Sequence, residues 1–301
     1  MKYLNPLMIL EVDDDRLRAG LDADFLRMEK RRLLAELELS GESAIVIGSH
    51  ELDRTAILQL FTDLAQGDTL AYHLRVYQMP SLLDFLDSAA LAWFYSGDVL
   101  QLAAQPEDFR VFIAPYYSHQ FNKRFFHAFR QLDTAEIQVM TREPLMIPEA
   151  WHAAAWQDTY RHLHMHIREA LDLADTLRTR PPGPELQELM DENWLALLNV
   201  LPPYFARARE GYAEALYAVA QAVQEAHQRA QLAALLLRQA ARLDIPESLR
   251  ERCLAQAQRL APASGWESQT PLGRKQKSFP VRTLLLIAAG VAALAWWLFN
   301  M

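Results

Sequence analysis

The chain has little of several features that would assign it quickly to a chemical class. Its 301 residues include one cysteine, Cys253, so an intramolecular disulfide is excluded and a reducing compartment fits the composition. Cys253 lies in a helical stretch rich in Arg and Gln, with no recognisable partner histidine nearby. A cysteine nucleophile is therefore disfavoured.

The motifs that often mark nucleotide, metalloprotease or hydrolase chemistry are also missing. The chain contains no GxxxxGK[ST], no GxGxxG, no HExxH and no GxSxG. His50-Glu51 lacks the second histidine of a zinc protease, and Asp13–Asp15 lacks the glycine and distal glutamate of a calcium loop. The sequence therefore predicts no cofactor and assigns no catalytic residue, and we expect a binding protein rather than an enzyme.

Positive charge is scarce over most of the chain. There are 30 Lys and Arg against 38 Asp and Glu, a net charge of −8. Four of the basic residues lie at 274–282, which leaves 26 basic against 38 acidic residues, a net −12, in residues 1–273. An acidic body argues against nucleic acid as a partner.

A long uncharged run is present near the carboxyl end. Residues 283–299 contain no charged residue, no Asn and no Gln, and as a helix they would extend roughly 25 Å. A buried core helix of this length would usually show a polar stripe, and this run has none. We therefore predict a transmembrane anchor at 281–299 that contacts membrane lipid. Its marker residues are Leu284, Leu285, Leu286, Ile287, Trp296 and Trp297.

The charges beside this run predict its orientation. Only Asn300 and Met301 follow it, whereas a basic flank precedes it, made of Arg274, Lys275, Lys277 and Arg282. Positive flanks remain cytoplasmic, so we expect a single-pass, tail-anchored protein with its amino-terminal body in the cytoplasm. A composition rich in Ala, Leu and Arg favours a bacterial inner membrane, and in a eukaryote the same segment would suit the endoplasmic reticulum or mitochondria.

The remaining pattern predicts an all-α protein with at most one short strand, near 44–48. We expect an aromatic-rich helical domain at 1–140 and a second helical domain at 149–261. A flexible basic stalk at 262–280 would join this multi-helical cytosolic body to the anchor.

Proline and glycine punctuate the second predicted domain. The segment TREPLMIP, 141–148, reads as a linker, and a helix should follow from Pro148 or Glu149 to about Thr176. The apolar spacing predicts that its buried stripe consists of Trp156, Tyr160, Leu163, Ile167 and Ala174. Between Gly211 and Pro246 there is neither Gly nor Pro, which predicts a helical stretch that would reach roughly 50 Å if unbroken. A last helix at 247–260 would fold back as an antiparallel hairpin, a surface that also suits homo-oligomerisation.

The opening of the chain shows an apolar start and two predicted helices around a loop. This order of elements resembles that of the J-domain of Hsp70 co-chaperones. The resemblance implies a co-chaperone-like module. The His-Pro-Asp loop of that family is absent, and residues 40–53 read SGESAIVIGSHELD instead. Within that stretch, Ser49 is the expected N-cap of a helix that runs to about Leu64.

Aromatic residues are concentrated in one region: eleven of the chain's thirty lie between Trp93 and Phe129. Phe121, Phe125 and Phe129 recur at four-residue spacing, which aligns them along one side of a helix. The stripe predicts either a groove for a peptide or lipid headgroups, or the densest part of the hydrophobic core, and the core is the commoner case.

Histidines in YRHLHMHIRE, 160–169, form the one pattern with metal-ligand spacing. On a helix His162 and His166 lie one turn apart while His164 points elsewhere. Glu169 or His152 could supply a third ligand to zinc. The alternative is that these histidines border the buried stripe of their own helix and make polar contacts only.

Taken together, these features predict a non-enzymatic adaptor or scaffold that is anchored in a membrane and recruits a protein partner through its helical body. Confinement to a membrane raises local concentration and so strengthens weak contacts. The alternatives are a metal-dependent enzyme that uses the face of His162 and His166, and a co-chaperone-like module.

Overall fold

The computed structural model describes residues 3–12, 17, 21–47 and 50–260. The described residues belong to one compact unit, Met1–Ala261. Three predicted segments lie outside the described residues: the stalk at 262–280, the basic flank within and after it, and the anchor at 281–299. Within the described ranges, no helix is both long enough and apolar enough to span a bilayer.

Helices make up most of the described chain, which confirms the predicted helical body. The helices and strands are α1 (Pro6–Ile9), α2 (Ala23–Ser40), β1 (Ala44–Ile47), β2 (His50–Asp53), α3 (Arg54–Leu64), α4 (Thr69–Tyr77), α5 (Pro80–Ser88), α6 (Asp98–Ala103), α7 (Glu107–Arg130), α8 (Thr134–Thr141), α9 (His152–Thr176), α10 (Glu185–Leu189), α11 (Glu192–Val200), α12 (Ala206–His227), α13 (Ala230–Ala241) and α14 (Glu247–Leu260). Short 3-10 turns lie at Leu91–Tyr95, Glu149–Trp151 and Pro203–Phe205.

Two strands form a small antiparallel sheet, so the prediction of at most one strand is wrong. In β1, Ile45 is buried while Val46 is exposed, the alternation expected of a strand with one solvated face. Ile45 lies opposite Leu52 of β2, and both side chains belong to the same hydrophobic cluster. Pairing with β1 therefore holds HELD as a strand, although that sequence has little strand propensity of its own.

Helix α3 consequently begins later than predicted, at Arg54 rather than after Ser49. Its N-cap is Asp53, whose carboxylate accepts a hydrogen bond from the backbone N–H of Ala56 at 2.7 Å. The segment at 40–53, which in the J-domain resemblance corresponds to the loop, thus contains the two paired strands.

The hydrophobic core has a small part and a large part. The small cluster joins α1, α2, the sheet and α3 around residues such as Leu33 and Ile57, neither of which is exposed. The large cluster extends from α4 to α14 and is not interrupted at 141–148, where Ile147 is buried in it. From α4 onward, the residues of the predicted domain 1–140 therefore share one core with those of 149–261.

The aromatic stripe of α7 lies inside that core. Phe121, Phe125 and Phe129 have no exposed surface. The rings of Phe121 and Phe125 each meet the edge of Trp156 at 4.8 Å between centroids. Phe129 packs against Trp194 at 5.5 Å. The stripe therefore joins α7 to α9 and α11, and these three side chains lie in the hydrophobic core.

The predicted helical stretch between Gly211 and Pro246 is broken, because the chain turns between α12 and α13. Gln228 adopts a left-handed conformation with φ of 52°, and its N–H bonds to the carbonyl of Gln224 at 3.0 Å. Such a residue ends a helix at its C-cap, a position that glycine usually occupies. Helix α12 packs against α13, and α13 packs against α14, so the expected long hairpin is a succession of three helices.

Candidate functional site

Helix α9 carries the three histidines and lies between α7 and α12. It ends at Thr176 as predicted, and it begins at His152, just after the 3-10 turn Glu149–Trp151. Its buried apolar residues include Trp156, Leu163 and Ala174 of the predicted stripe. Tyr160, which the same stripe predicts to be buried, is 37% exposed.

The predicted pairing of His162 and His166 is present. Their Nε2 atoms are 3.0 Å apart, a hydrogen-bond distance that requires one ring to donate and the other to accept. His164 lies on another face, with its ring 4.3 Å from that of Tyr160. One helical turn therefore brings two imidazoles together and separates the third.

Glu169 contacts the other side of the pair. Its Oε2 lies 3.2 Å from Nδ1 of His166, one helical turn further along. If Nδ1 of His166 donates to this carboxylate, its Nε2 is free to accept the hydrogen bond from His162. Glu169 thus orients His166 and does not share a ligand position with the two Nε2 atoms.

His162 lies in a hydrophobic and cationic setting. The edges of its ring face Phe126 and Phe129, at centroid distances of 5.6 Å and 5.9 Å. Burial lowers the pKa of His162, and the positive charges of a protonated His166 and of Arg130 lower it further. The pair therefore favours a state with at least one neutral imidazole at neutral pH.

The histidine pair has no third metal ligand in the described part of the chain. Among those residues, no group of three or more His, Cys, Asp or Glu is arranged to hold an ion. His152 stands ten residues before His162 on the same helix, which places it about 15 Å away along the axis. Its Nε2 is instead 3.1 Å from the carbonyl of Ile147.

A cavity of about 700 Å³ opens beside the histidine pair. His166 and Glu169 lie on one wall, and Trp194 of α11 and Tyr212 of α12 form an aromatic wall. The Trp194 ring is 5.0 Å from His166 and 6.1 Å from Tyr212. The hydroxyl of Tyr212 donates to the carbonyl of Leu189 at 3.0 Å, so this wall is held in place.

Negative charge surrounds the cavity. Its lining includes five carboxylates, those of Glu169, Asp172, Glu185, Glu188 and Asp191. Among the described residues, Arg180 is the single arginine of the lining, and it forms an ion pair with Glu185. A hydrogen bond from the backbone, together with Arg180, lowers the pKa of Glu185. In the described part of the chain, Asp172 and Glu188 have no ion-pair partner.

The aromatic wall could not be found from the sequence. Trp194 and Tyr212 lie 28 and 46 residues after His166 and carry no motif that links them to it. The spacing of the histidines was the sequence pattern that indicated this site. The wall and the carboxylates come together because residues of α10, α11 and α12 line the same cavity as the carboxyl-terminal half of α9.

Cys253, the other residue with potential reactivity, lies away from this site on α14. It has no exposed surface, and burial raises the pKa of its thiol. Both features disfavour the thiolate that a nucleophile requires.

Comparison of the chain with models of protein families, with curated proteins and with solved structures found no match. The site is therefore interpreted from its geometry. An aromatic wall beside carboxylates that outnumber the nearby cations favours an organic cation, since ring faces and carboxylates both attract positive charge.

Proposed function

We propose that the chain is a tail-anchored membrane adaptor whose helical body binds a basic side chain of a protein partner. In this proposal residues 281–299 hold the protein in a membrane, and the cavity beside α9 receives a Lys or Arg side chain. The observation that carries the proposal is the cavity itself, in which Trp194 and Tyr212 adjoin five carboxylates.

The cavity is large enough to receive an arginine or lysine side chain. A volume of about 700 Å³ lies within the usual range for sites of small ligands. A guanidinium group can stack on an indole and bind a carboxylate with two hydrogen bonds at the same time. Trp194 with Glu188 or Asp172 offers that combination, so arginine is the side chain that the cavity should prefer.

Attachment to a membrane explains how a contact of modest affinity can be effective. A single buried arginine contributes modest affinity, but a body confined to a surface meets its partner at a high effective concentration. The acidic body and the basic flank at 274–282 also respond oppositely to an anionic membrane, which favours a body that stands away from the lipid.

Short peptides test the cavity directly. The full-length protein in mild detergent is titrated with Ac-Ala-Arg-Ala-amide, and with the corresponding norleucine peptide, whose shorter apolar side chain carries no charge. We expect the arginine peptide to bind at least tenfold more tightly. Trp194→Leu and the double variant Asp172→Asn/Glu188→Gln should each weaken binding about tenfold, because each removes one part of the recognition.

A control variant separates recognition from general charge. Glu36→Gln/Glu38→Gln on α2 removes two exposed carboxylates far along the chain from the cavity. Its affinity for the arginine peptide should match that of the wild type. Equal affinity of the arginine and norleucine peptides would show that the cavity does not recognise a cation and would overturn the proposal.

A second candidate function is binding of a metal ion by the histidine pair. It is favoured by the 3.0 Å separation of the two Nε2 atoms and by the carboxylate behind His166. Zinc, which is four-coordinate, would need two further ligands from a substrate, from water or from a partner. Stoichiometric zinc in the purified full-length protein, lost in His166→Ala and retained in His164→Ala, would support a metal-dependent enzyme over the adaptor.

A further inference from the structure

A second concave surface lies on α9, separate from the acidic cavity. This cleft has a volume of about 600 Å³ and opens between α9 and the 3-10 turn Pro203–Phe205. The α9 residues that line it include Arg161, His164 and Arg168, which follow helical spacing. They lie roughly a third of a turn around the helix from His166 and Glu169, so the two surfaces do not overlap.

The cleft is cationic although the chain as a whole is acidic. Its described lining residues include two arginines and one histidine but no carboxylate. Arg161 is 70% exposed, and its ion pair with Asp158 is long, at 3.6 Å, and outside ordinary hydrogen-bond distance. Arg168 is exposed and makes no ion pair with any described residue. Both guanidinium groups are thus available to an anion.

Exposed aromatic rings complete the cleft. Tyr160 and Tyr204 are 37% and 44% exposed, and their rings meet at 6.1 Å between centroids. Tyr204 stacks at 6.0 Å on Trp156, which is itself buried in the core. A ring supported from behind in this way presents a rigid apolar face to solvent, where a planar ligand can stack on it.

We propose that this cleft binds a phosphate-bearing ligand with a planar ring, of the nucleoside monophosphate class. The two guanidinium groups would hold the phosphate through charge-assisted hydrogen bonds. The Tyr204 ring would stack on the base, a contact that tolerates any base because each has a π face. The proposal depends on no part of the acidic cavity and stands independently of the adaptor function.

The test compares three probes on the full-length protein in detergent by isothermal titration calorimetry. AMP carries both groups, whereas adenosine lacks the phosphate and inorganic phosphate lacks the ring. We expect AMP to bind at least tenfold more tightly than either of the other two. AMP affinity should also fall as salt is raised, because the phosphate contact is between exposed charges.

Variants assign the binding to the cleft. Arg161→Gln/Arg168→Gln should weaken AMP binding tenfold or more, and Tyr204→Leu should weaken AMP without changing the affinity for phosphate. The matched control is Arg31→Gln/Arg178→Gln, which makes the same change of net charge at exposed arginines outside the cleft. That control should bind AMP as the wild type does.

Three results would overturn the proposal. One is the absence of AMP binding to the wild type at millimolar concentration. Another is AMP binding that the Arg161→Gln/Arg168→Gln variant retains in full. The third is self-association of the wild type that this variant loses, with no AMP bound, which would assign the cleft to a second copy of the chain.

Discussion

Tyr3 and His73 are joined by a buried hydrogen bond across seventy residues of sequence. The Tyr3 hydroxyl lies 2.8 Å from Nδ1 of His73, and the two rings stack at 5.7 Å. Asn5 donates to the carbonyl of His73 at 3.2 Å, so two residues of the amino-terminal segment bind one residue of α4. Since the ring of His73 is neutral at neutral pH, its Nδ1 can accept a hydrogen bond from the Tyr3 hydroxyl.

This pair predicts a pH-dependent stability. Burial lowers the pKa of His73 from 6.5 to about 4. The unfolded chain therefore takes up a proton as pH falls through 6.5, whereas the folded chain does so only near pH 4, and stability is lost across that window. From pH 7 to pH 5 the loss should be about 2 kcal/mol, measured by urea unfolding of the full-length protein in detergent.

Two variants show whether His73 is the group responsible. His73→Gln keeps a neutral acceptor for Tyr3 and should remove most of that pH dependence. His164→Gln changes an exposed histidine and should leave it in place. If His73→Gln loses as much stability between pH 7 and pH 5 as the wild type, the assignment to His73 is wrong.

Substitution of the buried Arg209 should cause a large loss of stability. It is 4% exposed, and its guanidinium donates to the carbonyls of Leu201 at 2.7 Å and Asp244 at 3.1 Å. Arg209→Met would leave both carbonyls without their donor, so we expect a loss of roughly 3 kcal/mol in the free energy of unfolding. Arg207→Met, at an exposed position of the same helix, should change it by less than about 0.5 kcal/mol.

Phe125 tests whether the aromatic stripe is structural. Because its ring is fully buried, Phe125→Ala should lower the free energy of unfolding by about 3–5 kcal/mol. Phe126→Ala, on the same helix at a half-buried position, should cost clearly less. Chemical denaturation of both variants gives the comparison, and equal losses would contradict the placement of Phe125 in the core.

Gln228 predicts a stabilising substitution. Its φ of 52° costs energy for a residue with a Cβ atom, and glycine adopts it freely. Gln228→Gly should therefore raise the free energy of unfolding by roughly 0.5–1 kcal/mol. Gln224→Gly, within α12, should lower it by about 1 kcal/mol. A loss of stability in Gln228→Gly would show that the chain does not turn there.

Periodicity and punctuation in the sequence predicted much of the helical body. The end of α9 at Thr176 and the whole of α14, Glu247–Leu260, agree with the pattern of apolar residues and prolines. Two features were not predicted because the local sequence does not indicate them. Strand β2 forms through pairing with β1, and the turn at Gln228 has neither the Gly nor the Pro that usually marks one.

The candidate sites were predicted only in part. The contact between His162 and His166 followed from their spacing on one helix. The acidic cavity was not predicted, because Trp194 and Tyr212 reach it from other helices through tertiary packing. Tyr160 fitted the apolar stripe by spacing, yet it lies near the edge of that stripe and is exposed in the cleft.

Co-flotation with vesicles tests the adaptor account most directly. Full-length protein is reconstituted into phosphatidylcholine vesicles with a fluorescent Ala-Arg-Ala peptide and centrifuged through a density gradient. The account predicts that protein and peptide rise together, and that the double variant Asp172→Asn/Glu188→Gln rises without the peptide. Protein that stays at the bottom of the gradient would contradict the membrane anchor, and wild-type protein that rises without the peptide would contradict cation binding in the cavity.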